Sequence, residues 1–358
     1  MMRTRKVLQN LLAAAMLVVL SAACTPASAE GLGTAPPAAE LPAEGGGAGD
    51  EPLRVVVILP GRADDVSWNQ AVLDGMNRAI EQTDVPVDLT VVEGLYDPVD
   101  IEPALIDYAQ QGYDLIVGPG FQFQEPIIKV APDYPGTNFA VGSGTKLAPN
   151  VSVYDVRLEE GGYLMGILAG LSTESDVVGA VGGVDVSEIH RGHVGFILGA
   201  EAVNPDVTVL TDFVGDFNDI DGAKNAALRQ IEAGADRLWQ SGDGVGIAVL
   251  TACAEADVIC MGNVANQTEL APDHVLASFV YDWSIVYRQM IEESVAGTFG
   301  SKEYWIGFDN DGVAVEFNEA LLDRVTEGMR TEVEAAIQGF RDGTLDLGDL
   351  DAYDLDDS

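Results

Sequence analysis

From Leu53 onward, short runs dense in Val, Ile and Leu alternate with longer amphipathic stretches, and the alternation predicts a layered α/β chain. LRVVVILP at 53–60, VDLTVVE at 87–93, DLIVGP at 114–119 and NFAVGS at 138–143 are apolar without a clean two-residue alternation. Strands with no polar face are buried on both sides, as in parallel sheets covered by helices. Between the first two runs Val72, Met76, Ala79 and Ile80 recur at helical spacing, so this part reads as a βαβ series in a doubly wound sheet. A second series opens with VSVYDV at 151–156 and a helix carrying Leu164, Ile167, Leu168 and Leu171 on one face. It continues through DVVGAVGG, VTVLTDFV, DRLWQ and DVICMG. Two series of similar length predict two doubly wound α/β lobes with a hinge and a cleft between them, and ligands of such sheets bind beyond the carboxyl ends of the strands.

After His274 the pattern predicts a helix from about Ser284 to Ala296, a hairpin across the Asp-Asn-Asp-Gly turn at 309–312, and a final helix from about Glu319 to Phe340. The turn has part of a calcium loop's composition but lacks the ligand spacing and closing Glu of an EF-hand, so no calcium is expected there. The expected division puts 53–148 and 263–280 in lobe one and 149–262 and 281–340 in lobe two. The acidic tail, 341–358, reads as a solvated, frayed end.

Ahead of this core, Arg3, Arg5 and Lys6 precede an uncharged apolar stretch from Leu11 to Ala23, so residues 1–23 read as an export signal too short to span a membrane. Leu20-Ser21-Ala22-Ala23-Cys24 has the look of a relaxed lipobox, predicting a lipidated Cys24 that anchors the chain to the outer face of the cell membrane. Cleavage after Ala29, in Ala27-Ser28-Ala29, is the alternative and would secrete it. Residues 24–52, rich in Ala, Pro and Gly, read as a disordered tether.

Composition narrows the function. The 358 residues carry 18 Lys plus Arg against 58 Asp plus Glu, a formal net charge of −40. Such a surface repels phosphate backbones, which excludes nucleic acid and bare anionic membrane as partners. The acidity suits a high-salt habitat or simply a well-solvated surface. Three His and three Cys leave no clustered zinc set. His190 and His193 form an H-x-x-H without a third ligand and read as a hydrogen-bonded pair at a helix start. Cys253 and Cys260, seven apart, read as buried free thiols, with a bridge the alternative in an exported protein. No G-x-S-x-G, H-E-x-x-H, P-loop or dinucleotide fingerprint is present, so no catalytic residue, metal or cofactor is assigned.

Polar and aromatic groups do gather at strand ends. PGRADDVSWNQ places Asp65, Trp68 and Asn69 after the first strand; Asn offers a donor and an acceptor to a heterocycle edge, and Trp offers a stacking face. GPGFQFQE supplies Phe121, GDFNDID supplies Phe217 and Asp219, and QSGDGVG supplies Gly242 and Asp243.

Four segments in order, DDVSWNQAVLDGM, DLIVGPGFQFQEPIIKVAPDYPGTNFAVGSG, EEGGYLMGILAG and VGDFNDIDGAKNAALRQIEAGAD, resemble the basic membrane lipoprotein family over about Leu53 to Leu322. Its members are purine-nucleoside receptors for ABC importers, with the type I periplasmic-binding fold. The resemblance implies that Trp68 and Phe217 sandwich a base while Asn69 reads its edge, with Asp65 nearby. The pattern departs at Ser143, where the family has Asp, at Val264 and Asn266, which fall on two acidic positions, and at Tyr281, which stands where the family has Lys. These departures fit a nucleobase or another flat polar ligand better than an unmodified nucleoside pocket. The implied protein is a monomeric, lipid-anchored solute-binding protein that performs no chemistry and delivers its small-molecule ligand to an ABC permease. A ligand-sensing receptor for a membrane signalling partner would share these features. An exported nucleoside hydrolase is hinted at only by Asp64 and Asp65.

Overall fold

The computed structural model describes residues 51–355. The expected export signal, Cys24, Ala29 and all but the last two residues of the tether lie outside the described residues, as do Asp356 and Asp357. Two six-stranded sheets organise the chain, each flanked by helices. The first contains β1 (Leu53–Ile58), β2 (Val87–Val92), β3 (Leu115–Gly118), β4 (Asn138–Gly142), β5 (Val151–Val156) and β11 (Glu303–Ile306), in the order β11-β5-β4-β3-β1-β2, all parallel. The second contains β6 (Val177–Gly182), β7 (Thr208–Phe213), β8 (Arg237–Ser241), β9 (Ile259–Val264), β10 (Val275–Tyr281) and β12 (Val313–Phe317), in the order β12-β10-β9-β8-β6-β7. Only β12 runs antiparallel to its neighbour. Central strands β3, β5 and β9 are buried along their whole length, which explains their lack of alternation, while edge strand β2 is partly exposed.

Helix α1 (Trp68–Gln82) turns Val72, Met76 and Ala79 inward as its periodicity predicts, and packs on α8 (Ser284–Ala296). Gly75 permits that approach, since a Cβ there would lie 2.6 Å from Trp283 Cβ. Helices α4 (Leu158–Ser172) and α5 (Ser187–Val203) meet backbone to backbone, and a Cβ on Gly166 would sit 2.2 Å from the Phe196 carbonyl oxygen. The chain crosses between the two halves three times: through α4, through α8, and directly from β11 to β12.

Several expectations change. The expected division put β5 and β11 in lobe two and β10 in lobe one, but β5 pairs with β4 and β11 in the first sheet, and β10 with β9 and β12 in the second. The 303–317 segment is not a hairpin, because its two strands join different sheets and the Asp-Asn-Asp-Gly turn carries the chain between them. The final helix is broken into a 3-10 stretch at Glu319–Arg324 and α9 (Glu327–Arg341), which restarts where Thr326 Oγ1 accepts from Met329 N. The tail folds back rather than fraying: Leu345 and Leu347 pack on the core, Leu350 is 5% exposed, and Ser187 Oγ donates to Asp351 at 2.7 Å. Its leucines, spaced among the aspartates, supply the apolar anchor. Cys253 and Cys260 are joined as a disulfide, not free, with Cα atoms 6.3 Å apart. Helix α7 (Asp243–Ala256) ends with Asp257 in the left-handed region, which folds the chain back so that β9 brings Cys260 beside Cys253.

Candidate functional site

The carboxyl ends of both sheets face one cavity, and the loop after β1 shapes its first wall. Asp65 organises that loop. Its Oδ1 accepts from Ser67 N and Gln70 N at 2.9 and 3.0 Å, and its Oδ2 from Asn69 N and Asn69 Nδ2 at 3.1 and 2.7 Å. It thus caps the amide groups that α1 leaves unsatisfied. Asn69 Oδ1 in turn accepts from Gly61 N at 2.9 Å. The amide expected to read a ligand edge is therefore spent inside the loop, and Asn69 is 2% exposed. Val66 takes φ 53°, a strained choice for a β-branched residue, and its carbonyl accepts from Gln267 Nε2 at 3.2 Å.

This loop presents Trp68 to the cavity. The indole Nε1 donates to the Pro119 carbonyl at 2.9 Å, and the ring stands edge-on to Trp283 at 5.4 Å and to Tyr281 at 6.5 Å. Trp283 packs on Tyr154 and Tyr287, whose hydroxyls are bonded at 2.9 Å. Phe121, after β3, reaches Phe217, after β7, at 6.2 Å between ring centres. Rings from both halves therefore line the same space, together with Ser143, Gly242, Asp243, Val264 and Tyr281. Asp65 and Asn69 lie in an adjoining hollow. Asp219 and Asn266 are elsewhere. The first caps α6 (Ile220–Glu232) through Gly222 N, and the second donates to Glu316 at 2.6 Å.

The sequence reading missed Glu188, at the start of α5, and Asn263, at the end of β9; both line the cavity. The strand-end rule reaches them, but a lone Glu in so acidic a chain carries no distinguishing mark. Glu188 is 6% exposed, and its carboxyl accepts from Ser143 Oγ on the opposite half. Burial first, then the charge of Asp155, pushes it up to about 8, against the pull of Ser143 and Arg191. Asp243, partly open to the cleft, is pushed up to about 7 by burial and then by Asp65, while Ser67 Oγ, at 3.3 Å, and Trp68 N hold it down. Burial also raises the Tyr281 phenol, whose hydroxyl donates to Asn263 Oδ1 at 3.2 Å. Among the described residues, no Lys, Arg or His lines this cavity. Its enclosed volume is about 60 Å³, well under the roughly 300–1,000 Å³ of small-molecule sites. The space as it stands is too small for a ring-sized ligand.

Both histidines of the H-x-x-H lie within α5 and serve structure. His190 bridges Asp185 and the Tyr353 carbonyl, each at 3.0 Å. His193 is buried with Nε2 2.8 Å from Ser241 Oγ, and burial drives it down to about 3. Among the described residues no group of three His, Cys, Asp or Glu is placed to hold a metal ion.

The family model described as ABC transporter substrate-binding protein PnrA-like matches residues 53–343. A purine-binding protein of Brucella abortus is 29% identical over 81% of this chain and 82% of its own length. A Haloferax volcanii protein named for glucose binding in an ABC transporter is 27% identical over 85% of this chain and 76% of its own. The solved structure of an ABC transporter solute-binding protein from Conexibacter woesei superposes with a TM-score of 0.68 at 27% identity, covering 83% of this chain and 99% of that one.

Proposed function

For a chain that belongs to the PnrA-like family of ABC transporter substrate-binding proteins, we propose that the ligand is a flat, uncharged purine nucleoside or nucleobase held between the two halves. The family binds and delivers substrates and is not enzymatic. One observation carries the choice of ligand: Trp68 and Phe121 from the first half and Phe217 from the second line one cavity that, among the described residues, contains no basic side chain. Planar faces favour a ring system, each stacked contact being worth roughly 1–3 kcal/mol, and a wall with carboxyl groups but no cation disfavours phosphorylated forms. The three crossovers act as the hinge, and only a ligand touching both halves shifts the equilibrium toward closure. The closed monomer, tethered through a lipidated Cys24, is what the permease engages.

The glucose-binding name of the Haloferax relative supports a second reading, because aromatic faces also stack on sugars. Calorimetric titration of the full chain with adenosine, guanosine, inosine, their free bases and glucose decides between them. Saturable heats with purine ligands and none with glucose are expected. Glucose alone, or no ligand at all, overturns the reading, and release of free base from a bound nucleoside would make the protein a hydrolase.

A further inference from the structure

Glu188 stands out as a buried acid without a cation. It forms no ion pair among the described residues, because Arg191, one turn along α5, is committed to Asp155 at 3.0 Å, Glu159 at 3.1 Å and Ser187 Oγ at 2.6 Å. An acid so placed is costly unless its oxygens receive hydrogen bonds. The bond recorded to the Glu188 carboxyl is from Ser143 Oγ–H, a hydroxyl donor contributed by the other side of the cleft. Beside it on the cavity wall is the Tyr281 hydroxyl, already given to Asn263. The polar patch therefore has acceptor capacity in excess of its donors, next to rings that suit a base. Opening the cleft removes Ser143 from Glu188, and what must replace it on closure is a donor from Ser143 again or from the ligand.

Resting on the purine reading above, we propose that Glu188 is the specificity residue that accepts hydrogen bonds from the hydroxyls of a ligand's sugar portion, so that this cleft favours a ribonucleoside over the free base. Ser143 is the placeholder in the closed state without ligand, and a sugar hydroxyl takes over its bond. Three of the four family-pattern departures remove carboxylates, at Ser143 on the first wall and at Val264 and Asn266 at and just beyond the end of β9. Glu188 returns one from α5.

The test is calorimetric titration of the full chain, wild type and Glu188→Gln, with adenosine, 2′-deoxyadenosine and adenine. The amide keeps size and polarity and one acceptor oxygen, but turns the other oxygen into an NH2 donor, so a pair of sugar hydroxyls can no longer both be accepted. Wild type should bind adenosine more tightly than adenine, and Glu188→Gln should weaken adenosine roughly tenfold while leaving adenine within about twofold, as expected for loss of a hydrogen bond to an ionisable group. The deoxynucleoside should fall between. An unchanged adenosine-to-adenine ratio, or equal weakening of both ligands, overturns the assignment by reducing Glu188 to a structural role. Ser143→Ala supplies an independent arm should Glu188→Gln fold poorly. If Glu188 merely latches the cleft, Ser143→Ala weakens every ligand alike; if it reads hydroxyls, adenosine binding is retained or improved. Failure of the wild type to bind either adenosine or adenine would instead sink the purine reading itself.

Discussion

On the first wall of the cleft Asp65, Asn69 and the Trp68 indole are bonded within their own half: Asp65 to the start of α1, Asn69 to Gly61 and Asp65, the indole to Pro119. On the second wall the two acids find their partners across the gap, Glu188 at Ser143 and Asp243 at Ser67 and Trp68. These bonds on the first wall need nothing from the second half. The bonds to Glu188 and Asp243 come from the first half and depend on the two walls staying together. The difference divides labour, with a preorganised stacking face on one side and, on the other, carboxyl groups whose protonation and hydrogen bonding are tied to the closed state.

The largest effect should come from the preorganised wall. Trp68→Ala is expected to weaken purine binding by about 5- to 150-fold, from roughly 1–3 kcal/mol of stacking, as read by titration calorimetry. Phe217→Ala should lose less, because Phe121 lies 6.2 Å away and can cover part of the vacated face. Equal losses at the two positions would erase the distinction between the walls. Next in size, Asp65→Ala leaves three backbone N–H groups and the Asn69 amide without their acceptor. Denaturant unfolding should then show about 1–2 kcal/mol of lost stability, at the upper end of helix-cap losses, with ligand affinity falling because Trp68 loses its support. Stability unchanged within error would mean that the loop is not what holds the first wall.

The two walls also differ in how far the sequence revealed them. Runs such as LRVVVILP and DVICMG announced buried parallel strands because both their faces are covered. What no local pattern states is which sheet a strand joins, so β5 and β10 were exchanged between lobes, and the turn at 309–312 read as a hairpin though it links two sheets. The rings at strand ends were legible because Trp and Phe are scarce in polar loops. Asn69 was misread for a reason internal to its own motif: Asp65, four residues before it, takes its amide. Glu188 is one of 58 acidic residues, and only its burial opposite Ser143 sets it apart.

The smallest effect is the most direct probe of the second wall. An aspartate ordinarily titrates near 3.8, whereas Asp243 in the closed protein lies at about 7. Between those values the folded chain holds a proton that the unfolded chain has released, so each step up in pH through this range favours unfolding. Glu188 at about 8 and Glu160 at about 7 act in the same direction. His193, held neutral down to about 3 against an ordinary 6.5, acts oppositely, but only below pH 6.5. Surface carboxylates are already ionised above that point. The window from pH 6.5 to pH 8 therefore isolates the raised acids, and the melting temperature should fall across it. Asp243→Asn should flatten part of that fall, by no more than about 1 kcal/mol, since cleft water reaches the group and trims the effect. The remaining slope belongs to Glu188 and Glu160. A wild-type melting temperature that is level or rising over the same window would mean that both acids are ionised in the closed protein, and the second wall would then differ from the first in composition but not in its dependence on closure.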